Sequence, residues 1–171
     1  MRPPLSKAAA AEMREFFGRY GSFIQLWQTY ELMIEIAIMR QLGISVEENS
    51  IVCGGLNYSA KSAIILGLLK RDGTKANAIS ALRTAQQTAE RNNLIHSFLT
   101  HSREEPLMRL VRRTVRDGNY KVEWRDATKT GMQAHGDEFA VAFQRAADAL
   151  GISESDIDAY ASELEAHAQR T

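Results

Sequence analysis

SFIQLWQTYELMIEIAIMRQLG, residues 22–43, is the most apolar stretch of the chain and reads as one helix over residues 23–41. Phe23, Ile24, Leu26, Trp27, Tyr30, Leu32, Met33, Ile34, Ile36 and Ile38 cover most sides of a 3.6-residue wheel. A helix apolar on most sides is central in a bundle or lies between subunits. Gln28, Glu31 and Glu35 occupy the remaining side. Ser22 is its expected cap and Gly43 its expected end, because a hydroxyl accepts from a free first-turn N–H and glycine takes a left-handed backbone freely.

Working outward, Ser6 can cap an N-terminal helix with Met13, Phe16, Phe17 and Tyr20 at i, i+3, i+4 and i+7. Gly18 and Gly21 are expected to separate it from the central helix. On the other side, Ser45-x-x-Glu48 is a capping-box pattern, Cys53-Gly54-Gly55 a break, and Asn57 the cap of a third helix to about residue 70. Asp72-Gly73 is a turn, and Thr74 opens a long fourth helix through about residue 99. Beyond Pro106 the period changes. Val111, Arg113 and Val115, then Tyr120, Val122 and Trp124, alternate around Asp117-Gly118, which predicts a β-hairpin near residues 107–125, with a continuous helix as the alternative. Thr130-x-x-Gln133 resembles a capping box for a helix ended by Gly151, and Ser153 caps a last, acidic helix. The expected fold class is mainly α: a bundle of four or five main helices with a hairpin insertion, in a single domain spanning residues 1–171.

Composition agrees. An apolar fraction of 44% and a charged fraction of 25% are those of a globular protein, and three prolines leave helices intact. The single Cys53 excludes an internal disulfide or a cysteine metal cluster. Neither a signal peptide nor the roughly 20 apolar residues of a membrane span is read, so the expected location is cytoplasmic, with no membrane partner. Lys plus Arg and Asp plus Glu both number 21, so the whole chain is no electrostatic magnet for nucleic acid. The distribution is uneven. Arg109, Arg112, Arg113, Arg116, Lys121 and Arg125 face only Asp117 and Glu123 in the hairpin, whereas the C-terminal helices are acidic.

In the fourth helix Ala78, Leu82, Ala85 and Ala89 make an apolar stripe. Its continuation brings Asn93, His96 and Thr100, with Leu94, Ile95 and Phe98 on the other side. Polar groups thus stand where core residues are expected. A buried amide or imidazole left unsatisfied costs roughly 1–3 kcal/mol, so partners are required: a cleft, a second subunit, or the Gln28, Glu31 and Glu35 side of the central helix.

Arg91-Asn92-Asn93-Leu94-Ile95-His96, late in a long helix, resembles the signature of the HEPN superfamily, in which Arg is followed after four to six residues by His, often with a polar residue after the Arg. The resemblance covers the outline of residues 20–150 and these six residues in detail. It implies a homodimer in which motifs of two subunits meet in one cleft, and a metal-independent endoribonuclease without cofactor. His96 would be the acid/base group, Arg91 would stabilise the phosphate and Asn92 would orient one of them, leaving a 2′,3′-cyclic phosphate. Asn93, Glu31 and Glu35 would be supporting polar groups. Such nucleases serve in bacterial conflict or stress, where an antitoxin is a possible protein partner. Other superfamily members are non-catalytic modules for protein or nucleotide binding, and the motif fits both.

Arg109, Arg113 and Lys121 are candidates for an RNA phosphate track. No aromatic ladder is read between them, so single-strand binding by stacking is not expected. Trp27 and Tyr30 read as packing residues, and His101 as a charge favourable at a helix end. His135, Asp137 and Glu138 have no trusted metal-ligand spacing.

Overall fold

The computed structural model describes residues 6–73, 75–91, 94, 97–101, 108–116 and 119–169. The first helix, α1, is a single element, Lys7–Leu42. The break expected at Gly18 and Gly21 is absent, and Ser22 is no cap: its hydroxyl donates to the Gly18 carbonyl at 3.2 Å inside the helix. The reason is tertiary. Phe16, Phe23, Trp27 and Tyr30 are all buried on one continuous stripe. Each buried aromatic is worth about 1.5–3 kcal/mol, against about 1 kcal/mol lost per helical glycine. Ser6 caps α1 as read, accepting from the Ala9 N–H at 3.1 Å, and Gly43 ends it at φ 65.

Five more helices follow among the described residues: α2 Val46–Cys53, α3 Tyr58–Arg71, α4 Ala76–Ala89, α5 Lys129–Leu150 and α6 Glu154–Ala168. The Ser45/Glu48 capping box, the Asn57 cap and the Ser153 cap form as read. The cap of α5 does not. Thr128 holds that place, its hydroxyl accepting from Gly131 N–H at 3.0 Å, while Gln133 donates to Asp137 at 2.6 Å instead of closing a box with Thr130. No described helix is long and apolar enough to cross a membrane.

The chain gathers into two compact units, one of Met1–Gln25 with Gln86–Phe139, the other of Leu26–Ala85 with Ala140–Thr171. The second unit is all helical, with Tyr30, Met33, Ile34, Ile36, Ile38, Ile65 and Leu69 fully buried. Through this core runs a polar network. Lys61 of α3, 7% exposed, donates to Glu31 at 3.0 Å and Glu35 at 2.6 Å. Tyr160 of α6 donates to Glu35 at 3.3 Å and accepts from Asn49 Nδ2 at 2.7 Å. Asn49 also donates to the Glu35 carbonyl at 3.1 Å, and Cys53 Sγ lies 3.5 Å from Asn49 Oδ1. Four helices are thus tied together by groups that satisfy one another. Arg40 adds an outer tie, bonding Asp156 at 2.6 Å and the Gly151 carbonyl at 2.9 Å.

The first unit carries the sheet: β1 Phe98–His101, β2 Met108–Arg116 and β3 Asn119–Ala127, antiparallel in the order β1-β2-β3. The hairpin read from the alternation is β2–β3, closing with Arg116 opposite Asn119. Leu107, Asp117 and Gly118 of that reading lie outside the described residues. β1 was not foreseen, and it corrects the fourth helix, which stops at Ala89 rather than near residue 99. Phe16, Phe23, Ala89, Leu94, Leu110, Ala127, Met132 and Phe139 are buried in this unit. Lys129 joins the start of α5 to α1 through Glu15 at 2.8 Å and Glu12 at 3.7 Å.

Lys61→Ala should destabilise the protein by about 3 kcal/mol in urea unfolding, because removing one partner strands two half-buried carboxylates. A loss under about 1 kcal/mol would show that the network contributes little. Burial opposes the Lys61 charge, but the hydrogen bonds and charges of Glu35 and Glu31 outweigh it and hold its pKa above the ordinary 10.5. Burial foremost, with the Glu35 charge, pushes Tyr160 from 10.0 up to about 12. Both groups hold their protons more tightly folded than unfolded. The Tyr160 stabilisation is therefore full below about pH 10 and is lost as pH rises through about 12, and that of Lys61 is lost as pH rises past the raised value of its folded state. Thermal melts should fall steeply across that window, and less steeply in Lys61→Met; equal slopes would contradict the assignment.

Candidate functional site

The site begins where α4 ends. Glu90 adopts φ 42, the left-handed region that costs a side-chain-bearing residue about 1–2 kcal/mol. Three contacts hold it there. The His135 Nε2–H donates to the Ala89 carbonyl at 2.9 Å, satisfying one of the open acceptors of the helix end. His135 itself packs against Phe23, the tilted rings 5.1 Å apart between centroids. The Glu90 carboxylate pairs with Arg125 of β3 at 3.0 Å. Beyond the break Leu94 N–H donates to the Glu90 carbonyl at 3.1 Å, and Leu94 is buried. Arg91 is half-buried just past the break. Asn92, Asn93 and His96 lie outside the described residues. Arg91 and His96 therefore do not share one unbroken long helix with α4, and the wheel that continued the Ala78–Ala89 stripe into Asn93 and His96 ends at Glu90.

The sheet that follows has two faces, fixed by the register, since residues directly opposite in an antiparallel pair point to the same side. One face carries Tyr120, Val122, Trp124 and Asp126 of β3, the last three opposite Arg113, Val111 and Arg109 of β2. The Arg109 guanidinium lies 4.4 Å from the centre of the Trp124 ring and 3.5 Å from Asp126. A cation over an exposed indole is worth about 0.5–1 kcal/mol, enough to orient both side chains. Tyr120 and Trp124 are 63% and 60% exposed. The aromatic residues that the sequence reading left out of the basic track therefore stand among its arginines. Period-two alternation at residues 120, 122 and 124 was the signal for them.

The other face carries Lys121, Glu123 and Arg125 opposite Thr114, Arg112 and Leu110. A recess of about 100 Å³ is lined by Leu110, Arg112, Glu123 and Arg125 of this face, by Ser97, and by Trp124, whose register position is on the other face. Lys121, foremost by its hydrogen bond, and Arg112 by its charge hold the Glu123 carboxyl below the usual range. Of the three residues read as a phosphate track, Arg109 and Arg113 thus share a face, and Lys121 lies on the opposite one, paired with Glu123.

Glu31 and Glu35, read as supports for the Arg91–His96 site or as solvated carboxylates, are committed to Lys61. His135 is a helix-end donor rather than a metal ligand, and no His, Cys, Asp or Glu cluster among the described residues could hold a metal ion. Comparison of the chain with protein-family models, with curated proteins and with solved structures found no match in any of the three.

His135→Phe keeps a ring against Phe23 but removes the bond to Ala89. It should cost about 1 kcal/mol in urea unfolding and speed amide exchange of the Leu94 N–H, whose acceptor Glu90 would be less firmly placed. Unchanged exchange there would show that the break is held without His135.

Proposed function

We propose that the protein acts on RNA as a metal-independent endoribonuclease of HEPN type. The observation that supports this most directly is the recess on the sheet. Ser97, the residue after His96 in the chain, lines it together with Arg112 and Arg125. Arg125 also bonds Glu90, the residue before Arg91. Ser97 and Glu90, which border the motif in the sequence, thus both lie near Arg125, and a planar five-donor guanidinium is well suited to a phosphodiester.

In this reading the His96 imidazole takes the proton of a ribose 2′-hydroxyl, and that oxygen bonds to the adjacent phosphorus. The phosphorus–O5′ bond breaks, and the leaving O5′ takes up a proton. The products are a 2′,3′-cyclic phosphate and a 5′-hydroxyl end. Arg91 offsets the charge that gathers on the phosphoryl oxygens, and Asn92 orients one of the two. By the same resemblance the active form is a homodimer, and an antitoxin is a natural protein partner.

A second reading is a non-catalytic HEPN-like module that binds a protein or a nucleotide. The break at Glu90 favours it, because the resemblance calls for a motif within one long helix and α4 ends before Arg91.

RNA cleavage in EDTA separates the two. The nuclease reading expects cyclic-phosphate ends, unaffected by chelator and reduced on the order of 10²–10⁴-fold in His96→Ala. Arg91→Ala should lower the rate to a comparable extent. No cleavage by the wild type across varied RNAs, or equal cleavage by wild type and His96→Ala, would overturn it.

A further inference from the structure

We infer that the outer face of the hairpin, Tyr120 and Trp124 flanked by Arg109 and Arg113, is a binding platform for single-stranded RNA. The inference rests on RNA being the ligand, as proposed above, but not on its being cleaved.

Four observations carry it. First, Tyr120, Val122 and Trp124 are large apolar side chains, all exposed, on successive outward positions of one strand. A soluble sheet face normally places polar residues there, so such a patch marks an interaction surface. Second, Trp124 is 60% exposed although Arg109 sits 4.4 Å from its ring centre. The guanidinium covers part of the indole and leaves most of the residue accessible to a flat partner. Third, the charges on this face suit a polyanion. Arg109 and Arg113 are opposite Asp126 and Val122, so two guanidinium groups stand along the aromatic row. Fourth, Tyr120 and Trp124 are four residues apart on a strand, about 13 Å. That spacing lets bases separated along one extended strand stack on the two rings while the phosphates between them pass the arginines.

The opposite side of β3 argues against a second copy of the chain as the occupant. Lys121, Glu123 and Arg125 point that way from an edge strand, and charged residues on an edge oppose strand-to-strand pairing. A duplex is also disfavoured, because its bases are already stacked and offer no free faces to the rings.

The test is fluorescence anisotropy with a labelled oligouridylate of about 12 nucleotides, within the range one stacking module covers. It uses His96→Ala protein, so that the RNA stays intact. The platform predicts saturable binding that weakens at low micromolar protein as salt rises, and quenching of Trp124 fluorescence. Of the two tryptophans, the other, Trp27, is buried. Tyr120→Ala with Trp124→Ala should weaken binding at least about tenfold, while Trp124→Phe retains most of it. Both substituted positions are exposed, so circular dichroism should show an unchanged fold. Equal affinity in the double variant, absence of binding, or tighter binding of the matching duplex would overturn the inference. So would a wild-type dimer that the double variant converts to monomer in sedimentation, because the face would then belong to a second copy. Binding without cleavage in the wild type would sink the nuclease reading alone. Cleavage with unaltered binding by the double variant would sink the platform alone.

Discussion

A single residue forced into a left-handed backbone decides where the fourth helix ends. Glu90 at φ 42 closes α4 after Ala89, Arg91 and Leu94 are helical again, and β1 begins at Phe98. The conformation is unfavourable for glutamate, so it persists because its neighbours over-determine it. His135 holds the last carbonyl of the helix, and Arg125 holds the Glu90 carboxylate. The second contact comes from β3 itself. The sheet therefore helps to fix the end of the helix.

The helical unit solves a different problem. A lysine, two glutamates, a tyrosine and an asparagine in or beside a core would be costly if any stood alone. Each answers another, from Lys61 through Glu31 and Glu35 to Tyr160 and Asn49. The cluster includes titratable groups, yet its donors and acceptors are engaged within it and with α1. It reads as architecture, and chemistry toward a ligand is better sought on the sheet.

Much of this was legible in the residues. Capping at Ser45, Asn57 and Ser153 depends on neighbours within a few positions, and those signals were sufficient. The hairpin was legible because its alternation is also local. The failures have a common cause. Gly18 and Gly21 looked like a break, but a stripe from Phe16 to Tyr30 reaches across them, and only packing reveals its weight. Glu90 looked like an ordinary helical residue, since nothing in Ala89-Glu90-Arg91 announces a stop. Its partners, His135 and Arg125, are distant in sequence. Lys61 was the one long charge of the third helix outside its basic last turn, a signal that pointed to buried carboxylates and was passed over. Of the motif, Arg91 has a described position; the basic and aromatic residues of the hairpin were all visible in the sequence, but the face they share required the register.

The exposed aromatic and basic residues of the hairpin are the face proposed for recognition. The most direct measurement is a titration of ¹⁵N-labelled His96→Ala protein with oligouridylate, followed by amide and indole chemical shifts. The account predicts the largest changes at the Trp124 indole, at Tyr120 and at Arg109 and Arg113, with smaller ones at Ser97 and Arg125. Shifts confined to residues 26–85 and 140–169, with the Trp124 indole unmoved, would contradict it.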